Sequence, residues 1–360
     1  MEQDKLNILV VCKLSGHTLE ENVLLPLLAC NRVSCIYVLR EDSADFKNER
    51  VKYILPKHNI PFLKHIARFF KGIQCCRTIK IDFIIGILNT PHGYIARTLS
   101  IILKIPYIHM TIAGHREFWR HGPLFEKINI KYLTSGWAVT VTGTRTKDYL
   151  IKRGVLPCKI FILPNLPNHN FRRAPLKKEP SKYDIVSFSR IDKNKNVELL
   201  IRAIPLINKS DSISVAVAGD GDHLENVKQL AHQLGVDSCI EFLGYVRGLK
   251  EKMNLLCNSK IFVSCSKGEG FPVSLLEAMN CGCVPVVSDV GDISDVVKSG
   301  YNGIVYNDTD NAEQLADSLI SLLENRERLQ DMRSAALKIR DDYSVDSNGL
   351  IWNKIFSMNK

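Results

Sequence analysis

Two carboxylates, Glu269 and Glu277, stand eight positions apart in "SKGEGFPVSLLEAM", residues 266 to 279. Between them Gly270-Phe271-Pro272 interrupts the chain just before an apolar run. Pro272 suits a first helical position, where no N–H is needed, and Gly282 suits a helix end, so a helix is expected over about 272 to 281. In one unbroken helix, eight residues would turn the two acids about 80° apart. With Glu269 in the loop ahead, both can face one ligand at the helix N-terminus, where free N–H groups and the positive dipole end favour a phosphate or a hydroxyl. Carboxylates accept hydrogen bonds from hydroxyls and repel phosphates, so the pair points to a polyol beside a phosphate. On spacing alone, two solvated acids and a helix cap fit equally well.

A second group of chemistry-bearing residues lies in "SFSRIDKNKNVELLIRAI", residues 187 to 204, where Arg190, Lys193 and Lys195 fall between a strand-like run and a helical one. Cations held there can neutralise a diphosphate. By itself a charged loop is ordinarily a solvated loop. Asp220-Gly-Asp222 and Asp308-Thr-Asp310 have the form of metal-binding pairs but read as turns. The eleven cysteines are scattered, without paired C-x-x-C knuckles or histidines at zinc spacing, and read as small buried hydrophobes in a reducing cytoplasm.

The elements that must position these residues are strands alternating with helix-length segments. "LNILVVC", "VSCIYVL", "DFIIGIL", "PYIHMTI", "WAVTVT" and "KIFILP" precede residue 165, and "YDIVSFS", "ISVAVAG", "IEFLG", "KIFVSC" and "VPVVS" follow it. Several are unbroken apolar runs rich in Val and Ile, as in parallel strands covered by helices on both faces. The fold class is therefore α/β, with two doubly wound parallel-sheet domains, a number that the length of 360 residues also favours. The expected division is a first domain over 1–165, a linker over 166–182 containing Pro167, Pro175 and Pro180, a second domain over 183–340, and a C-terminal helix over 341–360 that packs back on the first. Ligands of such sheets bind at the carboxyl ends of the strands.

Net charge is +10 and is unevenly placed: residues 1–175 carry 26 Lys+Arg against 12 Asp+Glu, and the remainder is slightly acidic. No zinc-finger, helix-turn-helix or RNA-binding signature accompanies the basic half, so a nucleic-acid partner is not expected. An anionic membrane surface or a phosphate-bearing partner fits better. In "PFLKHIARFFKGIQCCR", residues 61 to 77, Phe62, Ile66, Phe69, Phe70 and Ile73 recur near helical spacing beside Lys64, Arg68 and Lys71. A core-facing helix and a membrane-docking helix both account for this pattern. No apolar run reaches the roughly 18 residues that a membrane span needs, and the N-terminus reads as a strand rather than a signal peptide. The expected location is the cytoplasm, including the inner face of the cell membrane.

The stretch "EGFPVSLLEAMNCGCVPVVSDVGD" resembles the E-x7-E signature of retaining glycosyltransferases of family 4, which have the GT-B fold of two Rossmann-like domains with a cleft between them. The resemblance implies transfer of a hexose or related sugar from a nucleoside diphosphate sugar to a glycan or lipid-linked acceptor, as in surface polysaccharide or glycoconjugate synthesis, with no cofactor and no metal. It places Arg190 and Lys195 on the donor diphosphate, Glu277 on the ribose, and Glu269 by the transferred sugar with the backbone of Gly270 and Phe271. "IEFLGYV", residues 240 to 246, is similar to the family's segment near the nucleotide base, which brings in Tyr245 and Val246. The first domain departs from the pattern. Where the family has Gly-Gly after its first strand, this chain has Ser15-Gly16, leaving Gly16 for close approach to the donor phosphate. The family's active-site histidine corresponds either to His115, displaced by two positions in "IAGHREFW", or to His109; His92 and Arg116 are further acceptor-side candidates. A hydrolase or epimerase on the same scaffold, or a non-catalytic sugar-nucleotide or glycan-binding module, is the competing expectation.

Overall fold

The structure, a computed structural model, describes residues 5–43, 45–56, 61–119, 122–175, 181–207 and 213–358. The chain forms two compact units, one of residues 1–166 with 343–360 and one of residues 167–342.

The first unit is built on a seven-stranded, wholly parallel sheet. Its strands are β1 Leu6–Val11, β2 Val33–Leu39, β3 Val51–Ile54, β4 Phe83–Ile87, β5 Tyr107–Met110, β6 Ala138–Val141 and β7 Ile160–Ile162, in the order β3-β2-β1-β4-β5-β6-β7. The central strands are buried on both faces, which is why residues 8–11 of β1 and the whole of β4 are continuous apolar runs. The order reverses between β1 and β4, so the loops after these strands flank the switch point at the carboxyl edge.

The second unit repeats the plan with six parallel strands, β8 Tyr183–Phe188, β9 Val215–Ala218, β10 Ile240–Gly244, β11 Ser259–Ser264, β12 Val284–Ser288 and β13 Ile304–Tyr306, in the order β10-β9-β8-β11-β12-β13. Its switch point lies between β8 and β11. The loops that carry Arg190 and Glu269 follow those two strands.

Two strands escape the sequence pattern, β3 and β13. Both are short edge strands, so neither needs a two-sided apolar run. The segment expected to be an aperiodic linker is partly structured: His169–Arg173 forms a 3-10 helix whose Phe171 is buried against the helix Val273–Asn280. The last helix, Val345–Phe356, opens on a capping box at Ser344. It buries Trp352, Ile355 and Phe356 in the core of the first unit, where Trp137 Nε1 donates to the carbonyl of Ile355 at 3.1 Å. The eleven cysteines carry no disulfide. Burial raises the thiol pKa of Cys283, which donates to the carbonyl of Leu256 at 3.1 Å.

Candidate functional site

In the second unit Arg190, Lys195 and Glu269 lie on the two loops that flank the switch point, whereas Tyr245 and Val246 follow the edge strand β10. The 189–196 turn is fixed by Asp192, whose Oδ1 accepts from the N–H of Lys195 at 2.9 Å and whose Oδ2 meets Arg190 Nε at 2.6 Å. Burial opposes ionisation of Asp192, yet the Lys195 N–H and the Arg190 guanidinium hold its carboxyl below the usual range. Two glycines let the neighbouring turn press against this one. At Gly219, with φ +147°, a Cβ would lie 1.8 Å from the carbonyl oxygen of Ser189, and at Gly221 one would lie 2.1 Å from that of Ile191. No side chain fits there, which gives the "AGDG" turn its physical reason.

Lys195 reaches across to the loop after β11, placing Nζ 2.5 Å from Glu269 Oε1. Ser266 Oγ donates to the same oxygen at 2.6 Å, and both members of the ion pair are largely buried. The two loops are further tied by Asn194 Nδ2, which donates to the carbonyl of Gly268 at 2.8 Å, and by the N–H of Lys267, which donates to the carbonyl of Asn194 at 2.8 Å. Behind the Glu269-Gly270 backbone sits Gly291, φ +57°, where a Cβ would lie 2.4 Å from the Glu269 carbonyl oxygen. Asn194, Ser266 and Gly291 carried no signal in the sequence reading; Asn194 lies between two singled-out lysines, and Gly291 stands in the quoted "SDVGD" run.

The helix after Glu269 is Val273–Asn280, with Pro272 at the N-cap, one place earlier than its expected first helical position. Gly282, at φ +84°, closes the other end. Phe271 and Glu277 are buried, whereas Tyr245 is exposed and Val246 half-buried. Arg190 remains largely exposed beyond its pair with Asp192. The arrangement offers two cations and a partly buried carboxylate on adjacent loops, with Glu277 on the helix behind them. A phosphate entering here competes with Glu269 for Lys195, and that exchange frees Glu269 to accept from hydroxyls.

The first unit places its candidates differently. His109, on β5, is completely buried: Tyr107 Oη lies 2.9 Å from Nδ1, Nε2 is sealed from solvent, and burial pulls its pKa down to about 3. The acceptor-side expectation for His109 is therefore corrected; it is a packed core histidine. His92 is also buried and meets Arg68 Nη1 through Nε2 at 2.8 Å. His115 is half-buried in the turn after β5, its ring 4.9 Å from that of Tyr149, and Arg116 is exposed. Gly16 opens the short helix Gly16–Leu19, capped by Ser15, immediately beyond β1.

A residue the sequence reading passed over lies two positions after His115. Glu117 Oε1 accepts from the N–H groups of Ile112 and Ala113 at 2.6 and 2.7 Å, while Oε2 is buried without a hydrogen-bond partner among the described residues. Burial pushes this carboxyl up to about 7 despite those two donors. Arg68 is corrected too: it was read as a basic neighbour of an apolar stripe, and it is fully buried.

Residues 168–339 match the family described as "Glycosyl transferases group 1". Among curated proteins, the chain is 36% identical over 135 residues to "Uncharacterized glycosyltransferase MJ1607" of Methanocaldococcus jannaschii, covering 38% of this chain and 34% of that protein. It is 25% identical over 284 residues to "Phosphatidylinositol N-acetylglucosaminyltransferase gpi3 subunit" of Schizosaccharomyces pombe, covering 75% and 60%. The matches thus span between a third and three-fifths of these relatives' own lengths. Among solved structures, Anabaena Alr3699/HepE in complex with UDP matches with a TM-score of 0.76 at 19% identity, covering 98% of this chain and all of that one. With two parallel-sheet Rossmann-like units and this likeness, the chain has the α/β GT-B fold.

Proposed function

We propose that the protein is a retaining glycosyltransferase that moves a sugar from a nucleoside diphosphate sugar to a glycan or lipid-linked acceptor, in surface polysaccharide or glycoconjugate synthesis. The observation that carries this reading is the 2.5 Å pair of Lys195 and Glu269 beside Arg190 at the switch point, inside the stretch that matches the glycosyl transferase family. Arg190 and Lys195 bind the diphosphate and stabilise it as the sugar–phosphate bond breaks, which is where negative charge develops. Glu277 accepts from the ribose hydroxyls. Glu269, displaced from Lys195, accepts from hydroxyls of the transferred sugar, with the backbone of Gly270 and Phe271 beside it. Tyr245 and Val246 lie against the base. His115 serves the reacting face, and the leaving phosphate takes the acceptor proton on the side from which it departs. These cations supply the charge that a metal would otherwise bring, so transfer is expected to persist in chelator.

UDP is the first donor nucleotide to test, because the structurally similar HepE was crystallised with it. A lipid-linked acceptor is supported by a surface of the first unit. On the helix Pro123–Thr134, Leu124, Phe125 and Ile128 are 47–69% exposed, and Trp119 just ahead is 62% exposed. Exposed Arg116, Lys127 and Lys131 flank them. An outward apolar face rimmed by cations suits an anionic leaflet, and it lies outside the 61–77 segment, for which the sequence pattern allows either a core-facing or a membrane-docking helix. In that segment Ile66 and Phe70 are exposed, while Phe69 and Ile73 pack on the core.

The reading is tested by incubating the protein with radiolabelled UDP-sugars chosen by a thermal-shift screen, with and without glycan and lipid acceptors. Label entering an acceptor supports it. Free sugar released at the same rate with every acceptor would instead indicate a hydrolase.

A further inference from the structure

The carboxyl edge of the first sheet holds a buried cation with nothing to pair it. Arg40, directly after β2, is only 8% exposed. Its Nε and Nη1 are sealed from solvent and have no hydrogen-bond partner among the described residues. The neighbouring charges are already committed. Arg68 donates through Nη2 to Glu41 Oε1 at 2.9 Å and through Nη1 to His92 Nε2 at 2.8 Å, while Lys13 Nζ takes Glu41 Oε2 at 3.4 Å. Glu41 thus serves two cations and leaves none of its charge for Arg40. Glu20 and Asp45 also lie in this neighbourhood, on the side of Tyr53, yet neither forms an ion pair with Arg40.

The histidine adds a donor here. A guanidinium only donates, so His92 Nε2 accepts and the neutral ring carries its proton on Nδ1. Burial and the adjacent Arg68 keep that ring neutral, with its pKa down to about 3. Both arginines act electrostatically on the buried thiol of Cys12, at the end of β1. This sheet edge therefore carries Arg40, Arg68 and Lys13, of which only Arg68 and Lys13 are paired with a carboxylate, Glu41, together with a neutral histidine, near the switch point of a parallel sheet, where such folds bind ligands. A desolvated guanidinium with no acceptor is costly, and a fold gains nothing by keeping one unless an anion arrives to meet it.

We propose that Arg40 binds a phosphate group of the acceptor, at the sheet edge that also carries Arg68 and Lys13. The donor diphosphate already has its own cations, Arg190 and Lys195, in the other unit, so this phosphate is a separate one. That it belongs to an acceptor rests on the glycosyl-transfer reading; the phosphate site itself does not.

The test uses the full chain saturated with UDP, which occupies the donor's phosphate site. Inorganic phosphate is titrated in one arm, and mixed phosphatidylglycerol–phosphatidylcholine vesicles are tested by flotation in the other. Binding of free phosphate, or of the vesicles, is expected to weaken about tenfold in Arg40→Met, with UDP affinity changed less than about twofold. Arg40→Lys should restore part of the binding. Melting temperature in Arg40→Met should hold or rise, because an unpaired buried charge has been removed. Dependence on Arg40 in the phosphate arm alone marks a soluble phosphorylated acceptor, and dependence in the vesicle arm a lipid headgroup; either supports the site. The proposal is overturned if neither probe binds, if Arg40→Met binds both as the wild type does, if it loses UDP in parallel, or if it melts several degrees lower and Arg40→Lys restores stability without binding. Should UDP fail to bind at all while phosphate binding still depends on Arg40, the glycosyl-transfer reading falls and the phosphate site stands.

Discussion

The two sheets present their switch points in the same way and arrange charge there in opposite ways. After β8 and β11, Lys195 is matched by Glu269, Arg190 by Asp192, and Gly219 and Gly221 on one side and Gly291 on the other let backbone turns press together. At the carboxyl edge of the first sheet, two cations, Lys13 and Arg68, take the carboxylate of Glu41, and Arg40 is left with buried, unpaired nitrogens. A site whose charges are paired internally is folded and ready before its ligand comes, and the ligand exchanges with an existing partner. A site with an unmatched cation is complete only when the ligand is present. The second unit thus has the character of a preformed grip, and the first that of a site finished by its substrate.

Breaking the paired side should have the largest effect. Lys195→Ala removes a diphosphate contact and leaves Glu269 with Ser266 alone, so transfer to any acceptor should fall about 10²–10³-fold in a radiolabel assay. Gly219→Ala attacks the same side through the backbone. A Cβ 1.8 Å from the Ser189 oxygen at φ +147° should lower unfolding free energy by about 2–4 kcal/mol in urea titration. A double-mutant cycle sharpens the contrast: Lys195→Met with Glu269→Gln should be less destabilised than the sum of the single changes, since each alone strands a partly buried charge.

A smaller effect is expected from Glu117 on the first unit. Its folded pKa, about 7, lies above the 4.5 of the unperturbed group, so the folded state holds the proton more tightly. Stability should then decline as pH rises from about 4.5 through 7 and remain lowered above. Glu117→Gln should match the wild type near pH 4 and be the more stable above pH 7 in denaturant titrations. Least in magnitude, Leu124→Glu with Ile128→Glu should reduce vesicle flotation several-fold without changing UDP affinity.

Much of this arrangement is legible in the residues. Continuous Val- and Ile-rich runs define eleven strands because two-sided burial leaves no room for polar alternation, and the acid pair around Gly-Phe-Pro marks the loop after β11. β3 and β13 are not legible, since a short edge strand is covered too little to need such a run. Arg40 and Glu117 are hidden for a related reason. Burial, with at least one side-chain atom left without a hydrogen-bond partner, gives them their chemistry, and neither property is written in local sequence. Arg68 misleads outright: at helical spacing beside Phe69 and Phe70 it reads as a surface cation, but Glu41 and His92, distant in sequence, allow it to be buried.

The donor grip is tested most directly by calorimetric titration of UDP into the full chain and into Glu277→Ala. Glu277 is buried on the helix that follows the Glu269 loop, so binding to the wild type and its loss in a variant that still unfolds cooperatively is the expected result. Equal UDP affinity in the two proteins would contradict the assignment of the ribose to Glu277 and, with it, the placement of the donor on the second unit.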